Sequence, residues 1–247
     1  MSREAWEIVQ NMDVEDTDMQ LAMQCAPLIT GLKPSNLLNL TGADYSEVEK
    51  TVKNSRLSYY PISVTLERTM LLLYHRESLE SYLKREEVRD FLEKMGYEGN
   101  NLDEILAGFC QRYREYLEKK RDFPHEMGIL LGYPIEDVIG FMDNKGHNCL
   151  FTGYWKVYHD QAAKRKLFER FEYAKESLIQ LLHYGMSMSE IMEICVNAEG
   201  KKAAYSLQML CRKEDKSHGK NLCSILVPDR KHTCYGTGSG RRREGSW

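Results

Sequence analysis

Apolar positions recur at helical spacing over most of the chain and alternate in only a few short runs. The clearest helical stripe is Leu102, Ile105, Leu106, Phe109, Tyr113, Tyr116 and Leu117. A second, Leu167, Phe171, Ala174, Leu178 and Leu181, marks a long amphipathic helix over residues 160–183; both follow the 3.6-residue period. Strand character is concentrated in residues 59–66 and 69–75, rich in Tyr, Ile, Val and Thr and then in a Met-Leu-Leu-Leu-Tyr run. Glu67-Arg68 between them is a tight polar turn, so these runs predict an antiparallel hairpin. The second run is apolar on both faces, which places it centrally in a sheet. Residues 148–158 predict a third strand. Its alternation puts Cys149, Phe151, Gly153, Trp155 and Val157 on one face and Leu150, Thr152, Tyr154, Lys156 and Tyr158 on the other.

Punctuation sets the remaining elements. Residues 1–24, with Met12, Met19 and Met23 among acids, predict one or two short helices. Pro27 and Pro34 bracket a piece that reads as extended over 28–32, with a helix opening at Pro34 and closing at Gly42. Ser46 with Glu49, and Ser187 with Glu190, are capping-box pairs. Helices resume near Ser78, and 86–95 stops at Gly96. A short helix over 123–131 stops at Gly132; Pro134 opens another over 135–143, stopped by Asn144-Lys145-Gly146. Residues 201–212 read as one more helical piece. Helices, one hairpin and one further strand without regular βαβ alternation predict an α+β fold: a small, mainly antiparallel sheet covered by helices. The organisation expected is an N-terminal helical extension (1–24), one domain (25–212) and a disordered tail (213–247).

Composition narrows the function classes more than it selects one. A hydrophobic content of 42% with 10% aromatics in 247 residues supports a real core. A net charge of −3 supplies no overall attraction to nucleic acid or anionic membrane. No apolar run approaches the roughly 20 residues of a membrane-crossing helix, and the acidic N-terminus lacks a signal-peptide core. Seven cysteines without a CxxC pair fit reduced thiols. A cytoplasmic location is the expectation.

Three ordered motifs carry a family resemblance. They are Cys25-Ala-Pro through Gly31-x-Lys33, Phe123-Pro-His-Glu-x-Gly through Leu-Gly-Tyr-Pro-x-Glu-Asp-Val-x-Gly-Phe141, and Gly153-x-Trp-Lys-Val-Tyr158. Together, over about 25–184, they resemble the bacterial domain-of-unknown-function family 3793, found mainly in Clostridia. The resemblance implies a cytosolic bacterial protein and supplies no reaction, ligand, cofactor or catalytic residue. Family members often carry His where this chain has Gln24, which weakens a His–Cys metal pair there.

The densest run of reactive side chains is residues 123–158, with His125, Glu126, Asp137, His147 and Lys156. His125-Glu126 fits a general base with its orienter, or two metal ligands. The second His of an HExxH zinc site is missing, since position 129 is Ile129; the plainer reading is helix capping. Glu136 and Asp137 sit in a first turn, where acids suit the helix dipole. Cys25 reads as a nucleophile or soft-metal ligand if a cation such as Lys33 activates it, and otherwise as a core residue. Tyr154, Lys156 and Tyr158 fit a pocket for an anionic or planar ligand, with Lys156 as charge partner; the alternative is a Lys reaching to solvent. His218, Cys223, His232 and Cys234 match no zinc spacing, so no metal site is expected. A helix-turn-helix flavour over 181–191 is set aside: residues 160–212 hold eight Lys/Arg against seven Asp/Glu, too balanced for DNA.

Two functions follow. One is small-ligand, metal or cofactor binding, with or without catalysis, in a cleft between the 123–141 turns and the 148–158 strand. His125, Glu126, Tyr154 and Lys156 would form its wall, with Cys25 and Lys33 adding from the N-terminal side. The other is a non-catalytic interaction or regulatory protein in which the same motifs are structural and the partner is a protein. The cofactor and oligomeric state stay open.

Overall fold

The computed structural model describes residues 1–197 except Asn54 and Asn100; at Val196 and Asn197 it describes the backbone alone. The helical reading of 201–212, the tail and its His and Cys residues lie outside the described residues.

The organising sheet is three-stranded and antiparallel, in the order β1 (Ser35–Thr41), β3 (Arg68–Tyr74), β2 (Ser58–Val64). The β2–β3 hairpin and the central position of the apolar strand agree with the sequence pattern. In β3, Leu71 and Leu73 point into one core while Leu72 and Tyr74 point into another, as period-two alternation dictates. Pro61 falls on the edge strand β2, beside a register shift between Pro61 and Ser63; an edge is where a missing N–H is tolerated.

Helices cover both faces. On the Leu71 side lie α1 (Arg3–Gln10), α2 (Thr17–Ile29), α3 (Ser46–Val52), α9 (Gln161–His183) and α10 (Met188–Asn197). On the Leu72 side lie α4 (Arg76–Leu83), α5 (Glu86–Lys94), α6 (Leu102–Leu117), the single turn α7 (Met127–Leu130) and α8 (Ile135–Asp143). The α6 stripe is buried from Leu102 to Tyr113, but Tyr116 and Leu117 are exposed. Asp160 caps α9 by accepting from the Ala163 N–H at 3.1 Å. Ser187 and Glu190 form the expected reciprocal cap before α10.

Four local readings are corrected. Residues 28–29 belong to α2, which passes through Pro27 and ends just before Gly31 in the left-handed region (φ 71°). Only Leu28 and Ile29 follow Pro27 in the helix; its missing N–H forfeits one bond, and burial of the surrounding Leu21, Ala22, Cys25, Ala26 and Leu28 outweighs it. Residues 35–41 form β1 rather than a helix: pairing with β3 along seven residues overrides a weak helical pattern. The Gln24 side chain completes β1, donating to the Asn39 carbonyl at 3.0 Å and accepting the Asn39 N–H at 2.9 Å. That is how a neighbouring strand would satisfy an open edge. The Ser46/Glu49 cap does not form; the Glu49 carboxylate accepts from the Tyr59 hydroxyl, and the Asp44 carboxylate accepts the Ser46 N–H.

The fourth correction bears on function. Residues 148–158 are not one strand but a tight hairpin, β4 (Phe151–Thr152) and β5 (Lys156–Val157), separate from the main sheet. The Gly153 N–H donates to the Trp155 carbonyl across the turn at 3.0 Å. A Cβ at Gly153 would stand 2.4 Å from the Phe168 ring, so only glycine lets the hairpin lie on α9.

Candidate functional site

The hairpin and the 123–141 turns meet around a cavity of about 300 Å³. Phe123, His125, Leu131, Tyr133, Val138 and Phe141 line it from one side, and Tyr154, Trp155 and Lys156 from the hairpin. The wall is mostly aromatic. Tyr133 stacks on Trp155 with centroids 4.7 Å apart, and Trp155 meets Phe168 of α9 edge-on at 4.5 Å. The His125 imidazole sits between Phe123 and Phe141, at 5.7 and 5.5 Å. Its ring nitrogens have no hydrogen-bond partner among the described residues.

Lys156 supplies the cation. Its ammonium donates to the Gly146 carbonyl at 2.7 Å and lies 5.7 Å from the Phe141 ring centre. No carboxylate pairs with it among the described residues, leaving two of its three donors open. Tyr154 lends its ring to the wall, and its hydroxyl donates to Glu172 at 2.8 Å. Burial and this bond hold its phenol above the ordinary value. At Glu172, burial acts upward, but hydrogen bonds from Lys175 and Tyr154 prevail and bring the carboxyl down to about 2.

Two buried carboxylates position the walls. Asp137 of α8 accepts from the Trp155 indole N–H at 2.7 Å and from the Tyr158 and His159 N–H groups at 2.8 and 3.0 Å. Glu126, adjacent to His125, points the other way. It accepts from the Tyr97 hydroxyl at 3.0 Å and pairs with Arg112 at 3.5 Å. Arg112 lies over the Tyr97 ring at 4.3 Å and donates to the Gly96 carbonyl.

Of the residues singled out from sequence, His125, Tyr154 and Lys156 therefore share the cavity, while Glu126 stands behind it. Cys25 lies in the core under β1, fully buried, and burial pushes its thiol up to about 12. Lys33 sits outside the cavity with its ammonium 5.1 Å from the Tyr133 ring centre. Tyr158, read onto the same face as Tyr154, is turned by the hairpin against Gly140, and His147 is exposed. The sequence reading does not mark Phe123, Tyr133 and Phe141 as wall residues and places Trp155 on the strand face opposite Tyr154 and Lys156, whereas all four line the cavity. Their signal was the aromatic density of the motifs, which also fits an ordinary core.

Among the described residues, no three His, Cys, Asp or Glu side chains gather closely enough to hold a metal ion. No described helix is long and apolar enough to cross a membrane.

The molecule is thus an α+β protein in which two Gly- and Pro-punctuated segments and a small hairpin line an aromatic cavity. Residues 21–192 match the family described as Protein of unknown function (DUF3793), and the chain belongs to that family. No curated protein and no solved structure matches it.

Proposed function

We propose that this protein binds a small, flat, largely apolar anion in the aromatic cavity. Lys156 takes the anionic group, His125 a hydrogen bond, and Tyr133, Trp155 and Phe141 the ring. One observation carries the reading: an aromatic cavity of about 300 Å³ is lined by a cation that no carboxylate pairs with and by an imidazole without a hydrogen-bond partner among the described residues, while the one carboxylate in its lining, Asp137, is taken up by three N–H donors. The volume is at the small end of ligand sites, which run to roughly 1,000 Å³. The cysteines among the described residues, Cys25, Cys110, Cys149 and Cys195, are free thiols, which fits a reducing cytoplasmic setting.

The test is a thermal-shift and calorimetric comparison of indole-3-carboxylate with its neutral carboxamide. A ligand at 100 times its Kd stabilises by about 2.7 kcal/mol, enough for a clear rise in Tm. Lys156→Gln is expected to weaken carboxylate binding about tenfold and leave the carboxamide unchanged. Absence of any shift across aromatic carboxylates of this size would overturn the proposal in favour of a non-catalytic interaction protein.

A further inference from the structure

Lys33 stands apart from every other lysine described. Its residue is 7% exposed, although lysine is almost never buried without an ionic partner. Its ammonium donates to the Asn36 side-chain oxygen at 2.8 Å and rests over Tyr133. No carboxylate lies within ion-pair distance among the described residues; the nearby ionisable group is the Cys25 thiol, which burial keeps protonated. Asn36 is itself fixed, donating to the Gln24 and Leu37 carbonyls at 2.6 and 3.0 Å. The amine is held by a neutral amide oxygen and an aromatic face, with no carboxylate to balance its charge among the described residues.

Lys33 also lines a second space, an open groove of about 730 Å³ that has no lining residue in common with the aromatic cavity. Two Gly–Pro segments, 31–34 and 132–134, contribute to the groove's lining and touch one another. Gly132, in the left-handed region at φ 66°, lies so close to Pro34 that a Cβ there would stand 2.3 Å from its ring. The rim carries Arg85 and Lys164 against Glu77, Glu87 and Glu136, so it selects no sign of charge.

We infer that Lys33 is an imine-forming amine, and that the groove beside it admits a small aldehyde or ketone. A desolvated amine on a lysine that lines a cleft is the arrangement from which carbonyl-directed nucleophiles are built. The neutral amine attacks the carbonyl carbon, a C=N bond replaces C=O, and both amine hydrogens leave with the oxygen as water. No oxidant or reductant takes part. Burial lowers the Lys33 amine to about 8, so a useful fraction is neutral near pH 7, on the order of 100-fold more than for an ordinary lysine. This inference is independent of the aromatic-cavity reading.

The experiment is reductive trapping on the full chain at pH 7, with propanal as the carbonyl and cyanoborohydride to reduce the imine. Peptide mass mapping over time then gives a labelling rate for each amine. Lys33 is expected to label at least tenfold faster than exposed lysines such as Lys84 and Lys120. The α-amino group, which titrates in the same range, is read from its own peptide. Labelling of Lys33 no faster than Lys84 and Lys120 would overturn the inference. Lys33→Arg should abolish the adduct on that peptide alone, with an unchanged circular dichroism spectrum. If that variant does not fold, the wild-type rate map decides by itself.

Discussion

The two walls of the aromatic cavity are held in different ways. The Phe123–Leu131 wall hangs on an ionic tether: Glu126, 4% exposed, reaches back to Tyr97 and Arg112 on the α5–α6 side. The hairpin wall is held by Asp137 through three N–H donors, one from an indole and two from the backbone. A carboxylate satisfied by neutral donors fixes geometry at several points. One held by a single hydroxyl and a single guanidinium depends on that guanidinium for its charge balance. Both acids sit near helix starts in sequence, where the dipole explains them equally well. Their partners, not their positions, distinguish them.

The comparison breaks most visibly at Arg112. Arg112→Met leaves Glu126 buried with only the Tyr97 hydroxyl, and the expected loss is about 3 kcal/mol in urea unfolding. Replacing Glu126 by Met in the same chain should recover most of that loss, since an absent pair costs far less than a broken one. A single-variant loss below about 1 kcal/mol would show that the tether carries no weight.

Asp137→Asn comes next. The amide oxygen still accepts from the Tyr158 and His159 backbone, but the amide nitrogen then faces the Trp155 N–H, donor against donor. About 2 kcal/mol is expected, with a red-shifted tryptophan emission as Trp155 loosens. An unchanged spectrum at unchanged stability would remove Asp137 from the positioning role.

How far these roles were legible follows from which constraints are local. The β2–β3 hairpin, the α6 and α9 stripes and the Ser187 cap lie within short windows, and period plus capping chemistry fixes them. β1 was misread because its partner, β3, is about 33 positions away in register, Ser35 opposite Tyr74 being the widest pairing, and pairing outweighs local propensity. The 148–158 hairpin was misread because alternation continues through Gly153, and only Phe168 of α9 reveals the turn. For the site, His125, Tyr154 and Lys156 were singled out by type, whereas the separation of His125 from Glu126 depends on Tyr97 and Arg112. No pattern within residues 123–158 contains that information.

The smallest expected effect on stability is the most informative about the cavity. His125 makes ring contacts with Phe123 and Phe141 but no hydrogen bond to the described residues. Removing it leaves no buried donor or acceptor stranded. His125→Ala is therefore expected to change unfolding free energy by no more than about 1 kcal/mol, well under the Arg112 loss although Glu126 is the next residue along. Its effect should appear in binding, as about a tenfold weaker affinity for indole-3-carboxylate, the size of one lost hydrogen bond. If His125→Ala instead destabilised as much as Arg112→Met while binding persisted, His125 would belong with Glu126 among the residues that hold the wall, and the cavity would lose its hydrogen-bonding group. A small stability change with lost binding assigns the adjacent pair two separate duties, one facing the ligand and the other holding the wall.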